Sequence, residues 1–315
     1  MSLYPALYGA YYHLNLIRKG SRAPAMRREM EAIQWRGAEA IADHQLERLQ
    51  RLLNTARRAP ATLDRLRAAG LDRNPLRGWA DWARLAPIQR GDLQRDREGM
   101  VPEGRDTRRL SLNTTGGSTG EPVSFYQDRR YWDHMVAAEL LVTGWWGVPP
   151  GTRTAGLWGA DREFGEMPLK ERLALRLQRL RGMNAFRFDE ATMAAFAEEL
   201  CRWRPGYVLG YAGVLDQFAK FLLDRGMGGI RPRAVRSSAE ILQPDARERI
   251  GRAFAAPVYD FYGCREVNCI AAECTAHEGL HVLAYGRILE LLDADSRPVA
   301  PGETGRVVVT DLFNE

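Results

Sequence analysis

From residue 27 to 58 charged and apolar positions alternate at helical spacing, and Leu46, Leu49 and Leu53 fall on one face as i, i+3 and i+7. That pattern predicts one amphipathic helix laid over a core. Prolines at 60, 75, 87 and 102 break the following stretch into short helices, so residues 1–105 read as a helical leader. The texture then changes. RRLSLNTT and VSFYQD alternate with the period of strands and flank a glycine-rich loop, and RRYWDHMVAAELLVTGWW reads as a helix. A helix is expected near 168–181, and another from Asp189, a natural N-cap, to Trp203. PGYVLGY, RAVRSSAE and PVYDFYG read as strands separated by the helices VLDQFAKFLLDRG and ARERIGRAF. GRILELLDADSRPVAPGETGRVVVTDL reads as a hairpin with a long Pro/Gly turn. Strands alternating with helices across 106–315 predict an α/β core.

Composition narrows the class. The chain has 315 residues, 45% hydrophobic and 27% charged, which suits one large soluble domain or two ordinary ones. No apolar run approaches the roughly 20 residues that span a bilayer. The first twenty residues, MSLYPALYGAYYHLNLIRKG, are aromatic and apolar but lack the basic start of a signal peptide. They are expected to pack on the body of the protein, with a peripheral membrane contact as the lesser alternative. Net charge is +5, yet only Lys19, Lys170 and Lys220 are lysines, and the arginines are scattered among acids along the chain. With no zinc-finger spacing, RNP aromatic motif or basic tail, a dedicated nucleic-acid role is not expected. Four cysteines, at 201, 264, 269 and 274, suit a reduced compartment, the cytoplasm by default.

The candidate chemistry starts in NTTGGSTGEP, Asn113 to Pro122. Glu121 follows Gly120 where a Walker A loop needs Lys-Ser/Thr, and the spacing is not that of a Rossmann turn. A simple turn would use the same residues. If the loop binds phosphate, it must do so through backbone N–H groups and hydroxyls, leaving charge neutralisation to a metal held by a carboxylate elsewhere. VYDFYGCREVN, residues 258–268, offers Glu266 just after a strand; alone, it would read as a surface acid.

Together, T-G-G-S-T-G-E-P and Y-G-x-x-E resemble the adenylate-forming superfamily of acyl-CoA synthetases, adenylation domains and luciferases. LAPIQRGDLQRD, PGYVLGYAGVLDQFAKFL, the SAE triplet at 238–240 and ECTAHEGLHV resemble its phenylacetate-CoA ligase-like branch, including relatives from capsule gene clusters. The resemblance implies the large N-terminal domain of such an enzyme, mixed sheets packed with helices, behind the helical leader. It implies that Ser118, Thr119 and Gly120 grip phosphate, with Thr119 and Glu266 in catalytic roles. Ala239 and Glu240 would line the adenine, Tyr262 would lie beside it, and Asp260 and Gly263 would belong to the same nucleotide site. Glu266 would hold Mg²⁺. The reaction implied is ATP-dependent activation of an aromatic or other acyl carboxylic acid, with CoA, a carrier protein or an amine as acceptor; a homodimer is compatible with it.

In the same superfamily a ribose-binding aspartate and a mobile C-terminal domain with a catalytic lysine follow the strand matched by GRVVVTDL. The chain is therefore expected to be the large N-terminal part and to turn over far more slowly than an extended form. A catalytically incomplete remnant that binds nucleotide or a partner is the competing reading. Cys274, His277 and His281 form a Cys-x2-His-x3-His run able to supply zinc ligands, though not at a standard finger spacing. If His281 starts the next strand it could pair with Cys274 across a short loop, and the resemblance implies that downstream cysteines would complete such a Zn²⁺ site; Cys264, inside the Y-G-x-x-E motif, is expected to line the active site. Trp145, Trp146 and Trp158 could wall a substrate pocket or belong to the core.

Overall fold

The computed structural model describes residues 4–115, 122–159, 178–185 and 188–315. They divide into two compact units, neither continuous in sequence: residues 1–20, 139–263 and 271–281 form one, and 21–138, 264–270 and 282–315 the other.

The first unit is built on a seven-stranded sheet in the order β4-β3-β5-β6-β7-β8-β9. Strands β3 (Thr154–Leu157), β4 (Leu180–Met183), β5 (Tyr207–Tyr211), β6 (Ala234–Ser238) and β7 (Val258–Tyr262) run parallel, and β8 (Ala271–Glu273) pairs antiparallel to β7. β9 (Leu280–Val282) lies at the edge. Parallel strands need helical crossovers. Here helix α8 (Glu190–Trp203) connects β4 to β5, α9 (Ala212–Asp224) connects β5 to β6, and α10 (Pro244–Phe254) connects β6 to β7. Asp189 caps α8 as the sequence predicts, accepting from Thr192 N–H at 2.7 Å. Ala155, Val208, Val235 and Val258 pair side by side on one face of the sheet and pack against Leu200, Leu215, Phe218 and Ile250 of the three helices. Burying this row fixes the sheet register, because a one-residue slip would turn it to the other face. Helix α1 (Tyr4–Arg18) also belongs to this unit.

The second unit carries α2 (Ala23–Ile33), α3 (Ala38–Ala56), α4 (Leu63–Ala68), α5 (Trp79–Trp82) and α6 (Arg90–Arg95). It also holds two hairpins: β1 (Ser111–Thr114) with β2 (Ser124–Gln127), and β10 (Arg287–Leu292) with β11 (Arg306–Asp311). Helix α7 (Arg129–Trp145) begins in this unit and ends in the first. Among the described residues before 106 there is helix but no strand.

Two expectations are corrected. The helix drawn over 27–58 is two helices, interrupted at Gly37, whose extended backbone (ψ 161°) starts α3. Of the helix drawn over 168–181, residues 168–177 lie outside the described residues, and Leu180–Met183 is strand β4. No helix among the described residues is long and apolar enough to cross a membrane.

The core of the second unit contains a conflict that predicts a pH effect. His134 is fully buried, stacked on Phe313 at 4.6 Å, and neither ring nitrogen has a hydrogen-bond partner among the described residues. Burial, then the positive Arg287 and Arg48, hold its pKa well below the ordinary value. The folded state therefore resists a proton that the unfolded chain takes up below about pH 6.5, and stability falls with pH by up to about 1.4 kcal/mol per unit below that point. His134→Leu is expected to raise the melting temperature and to remove this part of the acid sensitivity; melting curves at neutral and mildly acidic pH check it.

Candidate active site

In open parallel sheets, ligands bind beyond the carboxyl ends of the strands. At that edge of the first unit, Tyr211, Ser238 and Phe261 stand in register on β5, β6 and β7. The chain leaves β6 through Ala239, whose φ of +69° is the left-handed region that costs a non-glycine residue about 1–2 kcal/mol. Such strain is held in place by the surrounding structure and clusters at functional sites. Glu240 follows, and its carboxylate accepts from the Gly213 N–H in the first turn of α9 at 2.7 Å. A side chain at Gly213 would bring its Cβ to 3.0 Å from that carboxylate oxygen, so glycine permits the approach. Tyr262 ends β7 and is 40% exposed, Gly263 follows it, and Ile241 beyond Glu240 is 81% exposed. One row deeper, Gly210, Ser237 and Asp260 pair across the same three strands. The Ser237 hydroxyl is buried without a partner among the described residues, and burial, then Glu273, push the Asp260 carboxyl above its ordinary range. Trp158, at the end of β3, lies 4.4 Å from Tyr211 and belongs to this edge.

In the second unit, β1 and β2 form the stem of the glycine-rich loop. Thr115 N–H donates to Val123 O at 2.9 Å, Val123 N–H returns a bond to the Thr115 hydroxyl, and the Thr114 and Ser124 hydroxyls meet at 2.9 Å. Ser118, Thr119 and Gly120 lie outside the described residues. The other predicted motif meets the stem through Gln127. Its amide donates to the carbonyls of Arg265 at 3.0 Å and Glu266 at 3.4 Å, and its oxygen accepts from Asn113. Cys264 to Val267 form a tight turn in which Val267 N–H donates to the Cys264 sulfur at 3.3 Å. The residue as a whole is exposed while its sulfur is tucked into the turn. That desolvation, then the Glu266 carboxylate, push the thiol up to about 11, so it stays protonated at neutral pH.

No protein-family model matches the chain, and no curated protein does. Solved structures do. The chain is similar to 2-hydroxyisobutyryl-CoA ligase in an open conformation in complex with 2-HIB-AMP and CoA, at 20% identity and TM-score 0.69, over 87% of this chain and 66% of that one. The same ligase in its thioesterification state matches at TM-score 0.69 and 20% identity, over 88% of this chain and 61% of that one. The fold is that of the adenylate-forming enzymes. The chain spans less than two-thirds of the length of the ligase it resembles.

Ser237 in the first unit and Gln127 in the second are buried polar residues that the sequence motifs did not single out. Gln127 is 1% exposed, and Gln127→Ala would leave the carbonyls of Arg265 and Glu266 without their donor. It is expected to cost about 1–3 kcal/mol of stability, measurable by chemical denaturation.

The cysteine–histidine run is only partly assembled. His281, on β9, brings Nε2 to 3.1 Å from the Cys274 sulfur, the pairing anticipated across the short loop. His277 is elsewhere: with φ +55° it stacks on Tyr259 at 4.8 Å and points Nδ1 to Glu273 at 3.4 Å. No group of three His, Cys, Asp or Glu among the described residues is arranged to hold a metal ion. Trp146 is core, stacked on Tyr259 at 5.0 Å with its indole N–H donating to Glu273 O, and Trp145 meets His281 edge-on.

Proposed function

We propose that this chain binds ATP and activates a carboxylic acid as its acyl-adenylate, with CoA as the acceptor. The observation that carries the reading is the carboxyl edge of β5–β7. It leaves Tyr262 and Ile241 uncovered, holds Ala239 in a strained turn and buries an unpaired hydroxyl at Ser237, at the place where open parallel sheets take ligands. An exposed tyrosine face suits a purine, and the backbone of Ala239 and Glu240 would border it. The fold shared with a CoA ligase that holds 2-HIB-AMP and CoA supports adenylate formation as the reaction and CoA as the acceptor.

In this reading the carboxylate of the substrate attacks the α-phosphate, and pyrophosphate leaves. The protein's part is positioning and charge stabilisation rather than covalent chemistry. Ser118, Thr119 and the backbone around Gly120 would donate hydrogen bonds to the outer phosphates. The Glu266 carboxylate is a hard oxygen ligand suited to Mg²⁺, which when bound would offset phosphate charge. Gln127, by holding the Glu266 backbone, would keep that carboxylate in place.

Exchange of labelled pyrophosphate into ATP, scored against aromatic and aliphatic acids, tests the proposal. It predicts exchange that depends on both an acid and Mg²⁺. Saturable ATP binding with no exchange for any acid would instead favour a nucleotide-binding protein without turnover.

A further inference from the structure

Helix α1 turns an apolar stripe to solvent. Leu7, Tyr11 and Leu14, spaced i, i+4 and i+7, are 69%, 62% and 66% exposed, and Ile17 is 58% exposed. The flanking face is anchored. Tyr8 stacks on Tyr12 and fills the space where a Cβ on Gly151 would sit, while the Arg179 guanidinium covers the Tyr4 ring at 4.2 Å. A helix facing water would place polar residues on its outer stripe. This one reserves it for leucine, tyrosine and isoleucine, then ends in Arg18 and Lys19.

The neighbouring surface indicates what covers it. Gly151 and Arg179 lie at the amino ends of the parallel strands, where Arg179 donates to Gly151 O, Gly206 N–H to Arg153 O, and Arg233 N–H to Gly206 O. Segments 1–20, 147–158, 178–185, 201–214 and 226–238, which supply α1 and this edge, contain no aspartate or glutamate, and of the neighbouring helices Glu199 pairs with Arg181 and Glu139 with Arg236 near Tyr12. They bring Arg153, Arg179, Arg204, Arg231 and Arg233 to that end of the sheet, and the crowding lowers the Arg153 pKa, after burial, through Arg179, Arg204 and Arg181. Apolar side chains beside an arginine-rich strand edge match an anionic lipid surface, with apolar groups at the acyl boundary and guanidinium groups among the headgroups. A second copy of the chain would oppose one arginine field to another. Nucleic acid would leave the leucines uncovered.

We propose that α1 lies in the plane of an anionic membrane surface and docks the protein there. The docking face is at the amino ends of the strands, so the carboxyl edge carrying Ala239 and Tyr262 stays open. Docking does not depend on the reaction proposed for that edge.

Co-sedimentation of the full chain with vesicles tests this. Binding is expected to phosphatidylcholine vesicles containing phosphatidylglycerol, weakening with added salt, and not to phosphatidylcholine alone. Leu7→Glu with Leu14→Glu, and separately Arg231→Glu with Arg233→Glu, should each weaken it about tenfold or more. Should the leucine pair fail to fold, Leu14→Ser alone should still weaken binding. No binding to the anionic vesicles, equal binding to both kinds, or binding indifferent to the leucine substitutions would overturn the proposal. So would light scattering that finds a dimer made monomeric by the leucine pair, without vesicle binding; the stripe would then belong to a second copy.

Discussion

Replacing Glu266 with glutamine is expected to weaken ATP binding in the presence of Mg²⁺ by about ten- to a hundredfold and to leave metal-free binding nearly unchanged. The substitution keeps the shape and removes the charge. A carboxylate is the hard anionic oxygen that Mg²⁺ prefers, and an amide oxygen is a weaker ligand. Altering the support of a bound metal typically costs about ten- to a hundredfold in affinity or activity, and altering a ligand should cost at least as much. The Glu266 carbonyl accepts from the Gln127 amide, a bond that the substitution leaves in place. Titrations of ATP with Mg²⁺ and with a chelator, on wild type and Glu266→Gln, read the effect. Equal weakening under both conditions would remove Glu266 from metal binding.

Thr119→Val should discriminate between nucleotides. It removes one hydroxyl at nearly constant volume, and a hydrogen bond to a charged group is worth about 1.5–3 kcal/mol, or roughly ten- to a hundredfold in affinity. ATP should lose that amount, whereas AMP, which lacks the outer phosphates, should hardly respond. Equal losses for both nucleotides would mean that the loop does not grip those phosphates. A loop without lysine can do this work because successive backbone N–H groups make an anion-binding concavity.

The α/β order of residues 189–263 was legible because each element carries its own punctuation. Asp189 caps α8, Gly226 follows α9, and proline opens α10 and precedes β7. The break at Gly37 was not, because charged and apolar residues keep the helical period across it, and only the backbone reveals the extended residue. Strand β4 was hidden for a similar reason. Its leucines and arginines continue a helical pattern, while its strand character comes from pairing with β3, a contact that local sequence does not encode.

The two motifs of the candidate site could be read directly, but what positions them could not. Gln127 reaches Arg265 across 138 residues, and nothing near Gln127 in the sequence signals that bond. Ser237 reads as an ordinary strand serine until the register sets it, buried and unpaired, beside Asp260. In the cysteine–histidine run, spacing alone could not separate His281, which meets Cys274, from His277, which the left-handed turn directs to Glu273 and Tyr259.

The central claim is that the carboxyl edge of β5–β7 receives the adenine of ATP. Its most direct test is equilibrium titration of ATP, AMP and adenosine into the wild-type chain and Tyr262→Ala. The account predicts saturable binding of one nucleotide per chain. Losing the ring should weaken all three ligands by a similar factor, because base–aromatic stacking is worth about 1–3 kcal/mol and does not involve the phosphates. Absence of saturable binding by the wild type, or affinities unchanged by Tyr262→Ala, would contradict it.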